Sequence, residues 1–139
     1  MTAAPAPVRP RSRWRTASPY VLGVVLVLAG LNHFVSPGFY DAQIPTWLGD
    51  ARAWTLGSGV AEVAVGLLVL VPRTRRLGGL AAFALFVAVF PGNVTSVVRA
   101  DGTAELVGTL LRLPFQVPLL LWAWQVQRDA EPAAARVRA

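Results

Sequence analysis

Trp54-Thr-Leu-Gly-Ser-Gly-Val-Ala-Glu62-Val-Ala-Val-Gly-Leu-Leu-Val-Leu-Val71 is an apolar run long enough to cross a bilayer, and it carries one carboxylate in its middle. A lone charge in hydrocarbon costs several kcal/mol on insertion scales, so Glu62 survives there only if it is neutral, paired, or facing a wet cavity inside a bundle. The rest of the chain is read for what makes Glu62 tolerable.

The surrounding composition agrees with a membrane setting. Of 139 residues, 55% are hydrophobic and 14% charged, with no cysteine, and the mean hydropathy is +0.52. Each crossing takes roughly 20 residues, which leaves room for one bundle of about four helices and no second soluble domain. The spacing of apolar runs predicts spans at about 20–35, 54–71, 77–98 and 106–126, so the expected fold is an all-α membrane protein, a four-transmembrane-helix bundle spread over residues 19–127. Pro37-Gly38 stops the first run, Val71-Pro72 the second, and Phe90-Pro91-Gly92-Asn93 interrupts the third. Phe39 to Asp50, with Tyr40 and Trp47, suits a short segment at the interface, and Trp47, Trp54, Trp122 and Trp124 read as interfacial anchors. Residues 1–18 read as a disordered basic tail, and 128–139 as a polar tail. A cleaved signal peptide is disfavoured, because no small-x-small site follows the first apolar run.

All 13 basic residues are arginine and the net charge is +6. Such a charge invites a nucleic-acid reading, but the arginines sit in short clusters between apolar runs instead of on one soluble face, so no nucleic-acid partner is expected. With four crossings, the two tails and the turn Arg73-Thr-Arg75-Arg76 fall on one side and total +8, while the loops holding Arg52, Arg99, Asp41, Asp50, Asp101 and Glu105 fall on the other and total −2. Basic loops stay inside, which predicts both termini in the cytoplasm.

That orientation sets depth. At 1.5 Å per residue, Glu62 lies about 12 Å below the outer end of its span and Arg112 about 9 Å below its own. They are the only charges within the predicted spans, opposite in sign and similar in depth, and an intramembrane ion pair between them is the economical expectation. Asn32, His33 and Asn93 fall near the outer ends of their spans, with Gln116 one turn deeper than Arg112; Asn93, Gln116 and His33 are candidates to complete the hydrogen bonding. Thr55, Ser58, Gly59, Glu62 and Gly66 share one helix face, as do Gly108, Arg112 and Gln116, and, more loosely, Gly23, Gly30 and His33. Small residues let helices approach closely, so these stripes should face inward. The cluster has two readings: a ligand or proton site, or a polar core that only fixes helix register.

Several chemistries lack their residues. There is no nucleophile elbow, P-loop or GxGxxG. One histidine cannot supply paired haem ligands, and no metal site is expected.

The run Gly30-Leu-Asn32-His33-Phe34, with Pro37, Phe39, Ile44-Pro45, Leu48, Ser58-Gly-Val-Ala-Glu62-Val-Ala-Val-Gly66, Pro72 and Arg75-Arg76, resembles the DoxX-like membrane proteins. Ala88-Val-Phe90-Pro91-Gly92-Asn93 and Arg112-Leu-Pro114-Phe-Gln116 continue the likeness, which spans about Val21 to Trp124; Gly92 stands where that pattern has alanine. The resemblance implies a multi-pass protein of the bacterial inner membrane, associated with respiratory or sulfur redox chemistry and with other membrane or periplasm-facing redox subunits. By position it carries over His33, Glu62, Asn93, Arg112 and Gln116. On this basis the expected function is a small subunit binding a quinone or similar amphipathic ligand in the outer half of the bundle, with no covalently bound cofactor. The alternative is a structural or assembly subunit without catalytic activity, and a small-solute carrier is a third, weaker candidate.

Overall fold

In the computed structural model, which describes residues 13–130, the chain forms six α-helices and one 3-10 turn: α1 (Arg13–Val35), α2 (Pro37–Asp41), the 3-10 turn Thr46–Leu48, α3 (Ala51–Leu70), α4 (Arg75–Ala88), α5 (Phe90–Val98) and α6 (Thr103–Asp129). No strand occurs among the described residues. Four stretches are long and apolar enough to cross a membrane: α1, α3, α4 with α5 (Arg75–Val98), and α6.

Both outer spans are longer than the apolar pattern indicates. α1 begins at Arg13, inside the stretch expected to be a disordered tail, because its first turns are tied to the end of α6. Arg15 Nε and Nη2 donate to Asp129 Oδ2 and Oδ1 at 3.0 and 2.7 Å, a two-pronged guanidinium–carboxylate geometry. Trp122 Nε1 donates to Ser18 Oγ, and the rings of Trp14 and Trp122 lie 6.0 Å apart. α6 accordingly runs through Arg128 and Asp129, and starts at Thr103 within the expected loop. The outer parts of the expected tails, 1–12 and 131–139, lie outside the described residues.

The helices pack in a ring, α1 on α3, α3 on α4, α4 on α6, with α6 closing back on α1. The tightest seam is α1–α3, where antiparallel glycines put backbone on backbone. A Cβ on Gly30 would stand 2.6 Å from Gly59 O, and one on Gly66 would stand 2.7 Å from Gly23 O. Each spanning helix gives two residues to the apolar core: Leu22 and Leu26, Val65 and Val69, Ala82 and Phe86, Ala123 and Val126. That core fills the half of the bundle nearest the described chain ends. Ser18 and Gln127 are the buried polar residues beside that core, and the other buried polar side chains lie toward the other half, the far end.

Local chemistry sets the joints. Asp50 caps α3, accepting from the Arg52 and Ala53 amides at 3.0 and 3.2 Å. The last carbonyls of α3 are taken up by the turn after it: Thr74 Oγ1 donates to Leu68 O, and Arg75 donates to Val69 O and Leu70 O. The expected interruption of the third span falls at Val89, between α4 and α5, with Pro91 in the first turn of α5, where its missing N–H costs nothing.

Candidate functional site

The polar residues at the far end form two groups. In the first, α1 brings His33 and α3 brings Glu62 into the α1–α3 seam. His33 Nε2 lies 3.5 Å from Glu62 Oε1, and both residues are buried. His33 Nδ1 is 2.9 Å from the carbonyl of Thr55. A carbonyl only accepts, so Nδ1 carries hydrogen, leaving Nε2 to face the carboxyl group. Ser58 Oγ, which donates to Thr55 O at 3.0 Å, lies 3.2 Å from Nδ1 and steadies the ring, and Tyr40 stacks on it with centroids 3.6 Å apart. Glu62 Oε2 is buried without a hydrogen-bond partner among the described residues.

The expected Glu62–Arg112 pair is therefore corrected: Glu62 pairs with His33. α3 and α6 are not among the closely packed helix pairs, since α4 lies between them in the ring, and similar depth does not bring diagonal helices into reach. Side chains lean toward the N-terminus of their helix. His33 on α1 and Glu62 on antiparallel α3 thus lean toward each other, whereas Arg112 leans toward the far end of α6.

The second group surrounds Arg112. Its Nη1 donates to Gln43 Oε1 at 3.3 Å, and its guanidinium lies 5.3 Å over the ring of Phe39. Asn93 Nδ2 donates to Gln116 Oε1 at 3.1 Å, while Gln116 Nε2 donates to Phe86 O at the end of α4. Gln116 therefore splints the break between α4 and α5. Asn32 stays exposed and donates to Tyr40 Oη at 2.9 Å. Arg112 contacts Phe39, Phe39 meets Tyr40 edge-on at 5.2 Å, and Tyr40 stacks on His33, so a continuous line of rings joins the two groups.

Beside Arg112 the bundle is open. A chamber of about 760 Å³ lies between α2, α5 and α6, lined by Phe39, Gln43, Ser96, Arg99, Asp101, Glu105, Gly108, Thr109 and Arg112 among others. A second cavity of about 430 Å³ adjoins it and is bounded by Leu111, Phe115 and Leu119, with Asn93 and Gln116 at its side. Gly108 and Arg112 line both. Volumes of this order are usual for small-molecule sites. A side chain on Gly108 would meet nothing within 4 Å, so its stripe faces open space, while Gln116 on the same stripe is buried.

Tyr40, Gln43 and Arg99 belong to this region and carried no signal in the sequence. They reach it from the connection between the first two spans and from the end of α5. Arg99 Nη1 donates to the carbonyls of Ala42 and Ile44 at 3.1 and 3.2 Å, which pins the connection over the chamber.

Asp41 fixes α2 to α3, accepting from Arg52 Nη2 and Nε at 2.7 and 3.0 Å. The Arg52 guanidinium, with the Thr55 hydroxyl beside it, holds the Asp41 carboxyl below its ordinary value. A carboxyl depressed on folding stabilises above its unfolded value and loses that contribution as pH falls through the folded one. Hydrogen exchange corrected for intrinsic rate is therefore expected to show steady protection of amides 38–52 from neutral pH down to the ordinary carboxylate range, and falling protection below it. Asp41→Asn should remove the dependence; an unchanged profile in that variant would assign it to another group.

Among curated proteins and solved structures, nothing matches the chain. The model of a family described as a domain of unknown function, DUF8561, matches residues 22–127. That stretch begins in the buried face of α1, ends in the last turns of α6, and includes every residue of both polar groups. The chain belongs to the DUF8561 family.

Proposed function

We propose that this chain is a multi-pass inner-membrane protein, with both termini in the cytoplasm, that binds an amphipathic ligand laterally from the outer leaflet. The observation that carries the reading is the meeting of two cavities at Gly108 and Arg112, one lined largely by polar side chains and the other by Leu111, Phe115 and Leu119. A polar head would take hydrogen bonds from Arg112 and Gln43, and an apolar chain would follow the groove along α6. The likeness to DoxX-like proteins supports a redox-associated subunit and suggests a quinone, whose carbonyls accept from such donors.

The test uses Gly108. A Cβ there would meet nothing within 4 Å, so leucine would project into the junction of the cavities, and it would favour the helix by up to about 1 kcal/mol over glycine. With purified protein and a fluorescent amphipath, saturable binding is expected in the wild type and at least about tenfold weaker binding, equivalent to 1.4 kcal/mol, in Gly108→Leu. Equal affinity would overturn the reading.

A second reading rests on the first polar group. The His33–Glu62 dyad is closed in by Tyr40, Ser58 and Thr55, which suits a polar core that fixes how α1 and α3 pair. On that reading the protein is a structural or assembly subunit of a membrane complex.

A further inference from the structure

The chamber beside Arg112 is lined by four charges, Arg99, Arg112, Asp101 and Glu105, and no two of them pair with each other among the described residues. Arg112 donates to neutral Gln43 and lies over Phe39. Arg99 is occupied with two backbone carbonyls. Glu105 Oε2 accepts from the Asp101 amide at 3.1 Å, and the Asp101 carboxylate takes no hydrogen bond among the described residues. Two cations and two anions thus share one space with their charges separated.

The separation has an order along α6. The carboxylates of Asp101 and Glu105 are at the far end. Arg112, seven residues on, lies about 10 Å deeper by helix rise, on the same face as Glu105 and Gly108. Below Arg112 the groove passes Phe115 and Leu119, and both Leu111 and Phe115 expose apolar surface beside it. Anion, cation, apolar groove, read inward, is the complement of amine, phosphate, acyl chain, the order in which a zwitterionic phospholipid stands in its leaflet. Guanidinium groups suit phosphate oxygens in particular, because their planar fork donates two parallel hydrogen bonds.

We propose that the chamber receives the headgroup of a zwitterionic membrane lipid, with the phosphodiester at Arg112, the amine at Asp101 and Glu105, and an acyl chain in the groove beside Phe115. This rests on the amphipathic-ligand reading above and chooses its head chemistry from the charges on the wall. A neutral quinone would accept from Arg112 and leave both carboxylates without a cation. An anionic lipid would use Arg112 and be repelled by the carboxylates.

Native mass spectrometry of the full chain, equilibrated with phosphatidylethanolamine, phosphatidylglycerol and an isoprenoid benzoquinone, tests it. Phosphatidylethanolamine should be retained over both others. The double variant Asp101→Asn/Glu105→Gln should shift the ratio of phosphatidylethanolamine to phosphatidylglycerol toward phosphatidylglycerol by at least about tenfold, Arg112→Gln should weaken both phospholipids, and Gly108→Leu should weaken all three ligands. An unchanged ratio in the double variant, or preferred retention of the quinone, overturns the zwitterion assignment while Gly108→Leu still reports on the site. Glycerophosphoethanolamine competing as well as the whole lipid would overturn the membrane-lipid source, since the acyl chain would then add nothing. Ligand retention unaffected by Gly108→Leu overturns the underlying reading itself.

Discussion

His33→Ala is expected to destabilise the bundle by about 3–5 kcal/mol, the usual cost of leaving one member of a buried pair behind. Glu62 would then lie in the α1–α3 seam with neither oxygen partnered, since Oε2 has no partner already and Oε1 has only His33. Arg112→Ala should stay within about 1 kcal/mol, because it removes one 3.3 Å bond to a neutral amide from a half-buried side chain. Unfolding of the purified protein in mixed micelles, followed by tryptophan fluorescence, gives both values. The double variant His33→Ala/Glu62→Ala should recover part of the loss, as no buried carboxyl group is then left without a partner. If Arg112→Ala were as damaging as His33→Ala, the pairing seen here would be wrong and the diagonal pair would return.

Gly30→Val should be comparably severe by another route. The new Cβ would stand 2.6 Å from Gly59 O and 2.8 Å from Val63 N, and these are backbone atoms that no rotamer change removes. Overpacking of a tight core typically costs 1–3 kcal/mol, and helices in lipid have little besides close packing to hold them together, so about 3 kcal/mol or more is expected. Gly59→Val should behave alike, its Cβ falling 2.7 Å from His33 Cβ and 2.9 Å from Gly30 O. Gly57→Val, on the same helix with nothing within 4 Å, is the control and should leave the melting temperature unchanged or slightly raised. A Gly57 variant as unstable as the Gly30 variant would mean that close packing in the seam does not decide the effect.

Much of this fold is legible in the residue order. Four apolar runs, proline at their ends and a break before Pro91 determine the number of helices and their joints. Two of the three inward stripes are legible too, since Thr55, Gly59, Glu62 and Gly66 share a face by spacing alone and are buried together, as are Gly23, Gly30 and His33; the third is not, because Gly108 is exposed beside the chamber. The partner of Glu62 was not legible from depth, which orders residues along the membrane normal but says nothing of which helices are neighbours. A better signal lay in the glycines. Gly23 and Gly30 are seven residues apart, as are Gly59 and Gly66; laid antiparallel they set α1 against α3, which brings His33 beside Thr55. The chamber was less visible still, because Gln43 and Arg99 come from connections whose path periodicity cannot describe. The extra turns at the start of α1 and the end of α6 were hidden because their sequences are polar there, and pairing between Arg15 and Asp129 supplies what hydrophobic patterning does not.

The placement of both halves of the dyad on consecutive spanning helices bears on how such a chain enters a membrane. Helices emerge from the ribosome in order, and a carboxylate delivered to lipid alone is expelled or held up until something neutralises it. Were Arg112 the partner, Glu62 would wait for the last helix to be synthesised. With His33 as the partner, the Glu62 carboxyl group meets its partner once α3 has followed α1. The N-terminal half can therefore settle in the bilayer first and offer α4 and α6 a finished surface on which to assemble.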